Sequence, residues 1–360
     1  MTTSAAVADI DITLDLAKDR VVAVRIVPRR LPPIGALVIG RRAAEMLTLV
    51  PRLFTLCAAA HGVAAQTAVD AARSVEIAPD AHRRRAMAVL SERLVEQLRG
   101  VVTGLGLLER PSVAAAMREL IRASAIFATA ANAGLPERSS AIDLIERALD
   151  QIGITGLDQM DHSASVRFSP SGTACLSVDN DFEIIARLAR EDARYAAAPD
   201  LNGAVLETGP WARLHAGAAT NARPIDLTES AAARLRARLD EIVRTPRMLH
   251  GLATGDDDPS LADAAVTGYC LGGGRGAAAL ETARGRLYHH VELDVDGRVS
   301  RFQCLAPTEW NFHPRGPLAR MLRGATVRFD RGGRDAVEQL VAAFDPCVGY
   351  KVTVREVADA

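Results

Sequence analysis

The sequence predicts a mainly helical α+β fold with small β-hairpins. Three observations predict it. Alanine, the residue of highest helix propensity, dominates the composition and fills long stretches without proline. Residues 80–100 place Met87, Leu90, Leu94, Val95 and Leu98 on one face at helical spacing, with Glu92, Arg93 and Glu96 opposite. Near both ends the apolar period changes to two around tight turns. With 360 residues, 49% of them hydrophobic and 24% charged, the chain can bury a sizeable core, as one large domain or two ordinary ones.

In order, residues 9–28 form a hairpin. Ile10, Ile12, Leu14 and Leu16 alternate with polar positions, Lys18-Asp19-Arg20 turns, and Val21 to Ile26 return. Pro32-Pro33 closes it. A short helix over 41–50 leads to Pro51. Helices follow over 57–74, 80–100, 112–132 and 139–151, the last with Ser139-Ser140 as its cap. Residues 153–181 are richer in Gly, Ser and Asp, and 182–197 and 227–246 are again helical. Together, 51–250 make a helical middle. Asp256-Asp257-Asp258-Pro259 reads as a solvated turn without cation-site spacing. Gly272-Gly273-Gly274 reads as a loop, lacking the Lys-Ser/Thr of a phosphate loop. Strands over 287–293 and 299–305 flank Asp296-Gly297, a strong hairpin turn. A helix over 334–344 ends just before Asp345-Pro346, within a C-terminal segment, 281–353, that carries the hairpin and Cys347. Both hairpins are expected at the margins, with Cys57 starting one helix, Cys347 following another, and the chain ends on the same side.

Formal charge is −1, and the arginine clusters are short and free of interleaved aromatics, which argues against nucleic acid. No 18-residue apolar run exists, so no membrane span is expected. Residues 1–16 have no signal-peptide pattern, and the cytoplasm is the default location. Of 43 basic residues only Lys18 and Lys351 are lysine, a bias that fits a GC-rich genome. Five cysteines without CxxC or CxxH exclude zinc fingers and dithiol redox motifs and disfavour disulfides.

Cys57 and His61 are four residues apart, one turn on a helix. Alone that is weak. The segments around them are more specific. Arg52-Leu53-Phe54-Thr55-Leu56-Cys57 runs into His61 and an alanine-rich helix. Arg284-Gly285, a hairpin and Pro307-Thr308-Glu309-Trp310-Asn311 follow in that order, then Asp345-Pro346-Cys347. These segments resemble the large subunit of nickel–iron hydrogenases over about residues 9–76 and 275–353. That family carries Arg-x-Cys-Gly-x-Cys-x-x-x-His, an Arg-Gly segment, Pro-Thr-x-Trp-Asn and Asp-Pro-Cys-x-x-Cys-x-x-His. The resemblance implies a large-subunit-like fold, as a single domain over residues 1–360.

The departures decide what it implies about function. Four thiolates hold nickel and iron in the family. Here the first position is Phe54 and the last is Tyr350, so only Cys57 (bridging) and Cys347 (nickel-only) remain. Thr353 stands where the final histidine would be, and residues 10–30 hold no glutamate for a proton relay. A phenyl ring donates nothing, and a phenol is a hard, weakly acidic donor, so stable nickel and hydrogen turnover are not expected. The wall lining iron's cyanide and carbonyl ligands is better kept: by resemblance, Arg284, Pro307 and Thr308 belong to it, and Arg52 stands beside the metals. His61 is placed to steer the Cys57 thiolate.

This pattern is similar to hydrogenase expression/formation accessory proteins of the HupK and HoxV type. The resemblance implies a non-catalytic maturation scaffold that transiently holds an iron–cyanide–carbonyl unit, Fe(CN)2(CO), on Cys57 and Cys347. Its partners would be the pleiotropic maturation proteins and the immature large subunit. A metal-free protein-interaction module is the alternative. The short tail after Thr353 implies no proteolytic processing there. Other residues read as structural: Cys304 packs in a strand core, and Cys175 and Cys270 are incidental. Of His289-His290, strand alternation allows one to face inward, and an exposed pair is the default. Trp310-Asn311 fixes the loop after the hairpin.

Overall fold

The computed structural model describes residues 9–29, 34–129, 134–159, 168–169, 171–191, 193–217, 230–255 and 260–358. The Asp256–Asp258 turn lies outside them. The chain divides into two compact units, each drawing on distant parts of the sequence.

The strands are β1 (Ile10–Ala17), β2 (Arg20–Val27), β3 (Val266–Gly272), β4 (Arg275–Thr282), β5 (Gly285–Leu293), β6 (Val299–Leu305) and β7 (Tyr350–Glu356). The helices are α1 (Ile34–Val38), α2 (Ala43–Leu53), α3 (Ala58–Ala72), α4 (Pro79–Gly104), α5 (Pro111–Thr129), α6 (Leu135–Ile152) and α7 (Asp181–Arg190). After them come α8 (Ala193–Ala197), α9 (Pro210–Gly217), α10 (Ala231–Thr254), α11 (Ser260–Ala265), α12 (Pro307–Asn311), α13 (Pro317–Leu322) and α14 (Arg331–Ala343). Pro51 does not end α2, which continues to Leu53.

The first unit comprises residues 1–34, 161–235 and 306–360. Its sheet has the order β2-β1-β7. The predicted hairpin forms, with Ile12 opposite Ile26 and a bulge after Asp15. On its other edge β1 pairs parallel with β7, Ile10 beside Tyr350 through Leu16 beside Glu356, so the chain ends lie side by side. The hairpin is not marginal. Ile10, Ile12, Leu14 and Leu16 are fully buried against Leu318, Met321, Val337 and Leu340 of α13 and α14. Alternation supplies one apolar face, and both helices cover it.

The second unit comprises residues 35–160 and 236–305. It holds an antiparallel sheet in the order β3-β4-β5-β6. The 287–305 hairpin is therefore the inner and one outer strand of a four-stranded sheet, and β5 is buried along Gly285–Val291. That corrects its expected marginal place. The glycine run is the β3–β4 turn, with Gly272, Gly273 and Gly274 all at positive φ. Helix α3 lies directly on β4. Ala64, Ala65, Ala68 and Ala72 are buried there, and a Cβ on Gly276 would stand 2.2 Å from the Ala72 nitrogen. Small residues on both sides allow this backbone-to-sheet approach. Helix α4, buried along Leu90, Leu94, Leu98 and Val101, packs against α3, α5 and the sheet.

Candidate functional site

The sequence-selected residues fall in two groups, one in each unit. In the first unit, α12 follows strand β6 with Pro307 at its start, where proline's missing N–H costs nothing. Pro307 and Thr308 are buried. The Thr308 hydroxyl is 3.2 Å from the Cys347 sulfur, and Arg29 Nη1 donates to the same sulfur at 3.1 Å. Arg29 Nε also donates to Glu309 Oε1 at 3.0 Å, an ion pair with both side chains more than nine-tenths buried. Asn311 braces this turn: its amide accepts from the Thr208 N–H at 3.1 Å and donates to the Thr208 carbonyl at 2.9 Å. Cys347 follows α14 as expected, after Asp345 at φ 50°.

Tyr350 and Thr353, which stand where the family has metal ligands, are both built into β7, opposite Ile10 and Thr13. Burial pushes the Tyr350 phenol above its ordinary pKa, and nearby Glu338 adds to this. The neutral phenol is a poor metal donor.

In the second unit, Cys57 is the N-cap residue of α3 and half-buried. Its carbonyl accepts from the His61 N–H at 3.0 Å, closing the first turn. The next exposed donors of that helix end, the Ala59 and Ala60 N–H groups, are taken by the Glu92 carboxylate of α4 at 2.6 and 2.9 Å. A carboxylate there satisfies orphan N–H groups and the helix dipole together. Burial nevertheless pushes the Glu92 pKa up to about 7, against the lowering effect of those two hydrogen bonds. Arg284, in the β4–β5 turn, pairs with Glu96 one turn further along α4 at 3.3 Å. Arg52 sits exposed in the last turn of α2, with no hydrogen bond or ion pair seen among the described residues.

His61 is buried and its surroundings are specific. The Phe54 ring stacks on its imidazole at 3.4 Å with 2° between planes. Its Nδ1 lies 2.9 Å from His289 Nε2. Phe302 meets the His289 ring edge-on at 5.1 Å. Cys304, directly opposite His289 on β6, completes a group whose ligand atoms all lie within 4.8 Å of one another. Burial holds His289 neutral, its pKa lowered to about 3, and lowers His290 to about 4.

These positions correct two expectations. His289 and His290 are both fully buried, because β5 is covered on both faces. Cys304 is half-buried beside two imidazoles and is not merely a packed core thiol. The register could have been counted outward from Asp296-Gly297, but a bulge after Glu292 shifts it by one residue. Cys270 is exposed near the Ser74 hydroxyl, and Cys175 makes an isolated bridge to Glu207.

Residues 253–352 match the nickel-dependent hydrogenase family. Over 98% of both chains, the sequence is 42% identical to the hydrogenase expression/formation protein HupK of Bradyrhizobium diazoefficiens. It is 29% identical to HoxV of Cupriavidus necator, over 88% of this chain and 89% of that one. Among solved structures it resembles the Ni-Fe-Se hydrogenase of D. vulgaris Hildenborough, with a TM-score of 0.63 at 16% identity, covering 93% of this chain and 95% of that one. The fold is that of the hydrogenase large subunit.

Proposed function

The chain belongs to the HupK family of hydrogenase expression/formation proteins, and from that premise we propose that it is a non-catalytic scaffold in nickel–iron hydrogenase maturation, holding or assembling the iron–cyanide–carbonyl unit before its transfer to the large subunit. One observation carries the reading. The Arg29 guanidinium donates to the Cys347 sulfur and the Thr308 hydroxyl lies 3.2 Å from it, placed to donate to a thiolate, in a half-buried setting. A metal-bound thiolate carries negative charge, and these donors balance it. Cys57, at the start of α3, is proposed as the second sulfur on its place in the sequence motif alone. Arg284, held by Glu96, is the donor assigned to an anionic cyanide nitrogen.

The same residues speak against nickel as cargo. Phe54 is committed to His61 and Tyr350 to a strand, and neither offers soft sulfur. The work would take place in the cytoplasm, with maturation proteins and the immature large subunit as partners. No helix among the described residues is long and apolar enough to cross a membrane.

The test is anaerobic isolation of the protein together with its maturation partners. Infrared bands in the cyanide and carbonyl stretching region are expected, with iron and without stoichiometric nickel. Cys57→Ala abolishes the bands, Cys347→Ala weakens them, and Cys175→Ala leaves them. Bands unchanged in the Cys57→Ala, Cys347→Ala double variant would overturn the scaffold reading. Normal large-subunit metallation by that double variant, with loss of metallation on deletion of the whole protein, would favour the metal-free interaction module instead.

A further inference from the structure

The geometry points to a second metal site in this protein: His61, His289 and Cys304 form a three-ligand centre for a divalent transition ion of the zinc and cobalt class. It is separate from the thiolates Cys57 and Cys347 and does not rest on their role.

Three elements bring the ligands together. β5 and β6 place His289 and Cys304 directly opposite each other, so their side chains leave one face of the ladder as neighbours. α3 lies on the sheet at backbone distance over Gly276 and presents His61 to the same spot. The ligand atoms stand within 4.8 Å of one another. In a tetrahedral centre with bonds of about 2.0–2.3 Å, ligand atoms are roughly 3.3–3.6 Å apart. The His61 and His289 nitrogens, at 2.9 Å, are already near that spacing. Contraction of the thiol by about 1 Å supplies the rest, a side-chain adjustment.

The rings are also fixed in orientation. Phe54 is stacked flat on His61 and Phe302 meets His289 edge-on, so both imidazoles hold their aim without a metal. Pre-set ligands of this kind raise affinity. The buried His289 is neutral, as a ligand must be. Two imidazoles with one thiolate suit borderline-soft divalent ions and disfavour magnesium and calcium. Three protein ligands leave a fourth position for an exogenous donor.

The proton balance follows. In the neutral form that a metal ligand requires, one imidazole N–H bridges the two facing nitrogens. When both facing nitrogens bind the ion, that hydrogen relocates to the other nitrogen of its ring, and no imidazole proton is lost. The Cys304 thiol gives up its proton as the metal–sulfur bond forms. Binding therefore releases one proton per ion from the protein.

Titration of the full-length, metal-stripped protein with Co2+ tests the site. A thiolate-to-cobalt charge-transfer band and intense tetrahedral d–d bands are expected, saturating at one ion per chain. Zn2+ displaces the cobalt, releases no further protein proton and raises Tm. Cys304→Ser, nearly isosteric, removes the charge-transfer band, and His289→Gln weakens binding by at least about 100-fold, beyond the usual cost of losing an outer-shell partner. The Cys57→Ala, Cys347→Ala double variant keeps the full spectrum. Circular dichroism of each variant, matched to the parent, separates ligand loss from unfolding. The assignment is overturned if the parent shows no charge-transfer band, if the band persists in Cys304→Ser, or if it disappears in the folded double variant.

Discussion

Adding one methyl group at Gly276 tests whether the contact of α3 with β4 sets the position of His61 and Cys57. A Cβ there would stand 2.2 Å from the Ala72 nitrogen, 2.3 Å from the Ala68 oxygen and 2.8 Å from the Ala71 carbonyl carbon. All three are backbone atoms, so no rotamer change relieves the clash. Ordinary contact needs 3.4 Å or more, so α3 must lift from the sheet by about 1 Å. The helix is held against such a shift. Glu92 binds its first turn, and Arg85 of α4 pairs with Asp70 near its end. Overpacking costs about 1–3 kcal/mol where side chains can yield, and a backbone clash belongs at the upper end. With an unfolding entropy of about 2.1 cal/mol/K per residue, a loss of about 3 kcal/mol lowers Tm by roughly 4 °C in a chain of 360 residues. Gly276→Ala is therefore expected to lower Tm by that amount in thermal denaturation followed by circular dichroism. It should also weaken Co2+ binding, since His61 leaves His289 with the helix. Gly104→Ala, where a Cβ meets nothing within 4 Å, is the control and should hold or raise Tm. A Gly276→Ala protein with the Tm of its parent would refute the argument that this contact positions the helix.

Three further outcomes follow from buried groups. His289 and His290, lowered to about 3 and about 4 by burial, make the unfolded chain the better proton binder below 6.5, so their stability contribution is full above 6.5 and falls with pH. Between pH 6.5 and 5 each loses about 2 kcal/mol at 1.36 kcal/mol per unit, and His290→Gln should flatten the acid limb of urea-unfolding ΔG by about that much. Glu92, raised to about 7, acts in the opposite sense and is present in both proteins, so it cancels in the comparison; equal acid slopes would refute the assignment. Arg234 and Glu207 form a buried pair at 2.6 and 2.8 Å beneath Trp211 and Phe344. Glu207→Ala should cost about 3–5 kcal/mol by stranding the guanidinium, while Glu207→Leu with Arg234→Leu should recover most of it, as read by urea unfolding. Asn311→Ala leaves the Thr208 N–H and carbonyl without their side-chain partner and should cost about 1–3 kcal/mol in the same assay; no loss would mean that the loop is held elsewhere.

Much of this arrangement is legible in the chain because its period is strong. The Ile10–Leu16 alternation encodes one buried face, and the α4 stripe marks a helix where one forms, although Arg93 and Glu96, expected on its polar face, are buried too. The β3–β4 pair is not legible, and the reason is the site itself. Gly268, Gly276 and Ala278 share one face and carry little strand propensity, because α3 approaches that face at backbone distance and leaves no room for branched side chains. The pairing of β7 with β1 is hidden for a different reason: parallel partners more than 300 residues apart leave no local turn to read. His289 and His290 mislead because alternation implies one wet face, and an inner strand covered on both sides has none.

The two positions that lack the expected sulfur show why donor counting from sequence succeeds where contact prediction fails. Phe54 removes a ligand, which any reading of the motif registers, but only the fold reveals that its ring now orients His61. Tyr350 likewise removes a ligand and opens the strand that joins the chain ends. Each substitution has exchanged a metal bond for a packing contact, so restoring cysteine at either position would remove a contact as it added a donor. Phe54 and Tyr350 are thus each fixed by packing within their own unit, while Cys347 keeps the Arg29 donor and the Thr308 hydroxyl beside it and Cys57 its place at the head of α3. Arg29 is also held by the buried Glu309 carboxylate, so one guanidinium serves both an ion pair and the Cys347 sulfur. Polar groups around the Cys347 sulfur, with Phe54 and Tyr350 committed to packing, are what the proposed carrier requires, and the infrared bands of the Cys57→Ala, Cys347→Ala variant decide between that carrier and a relic.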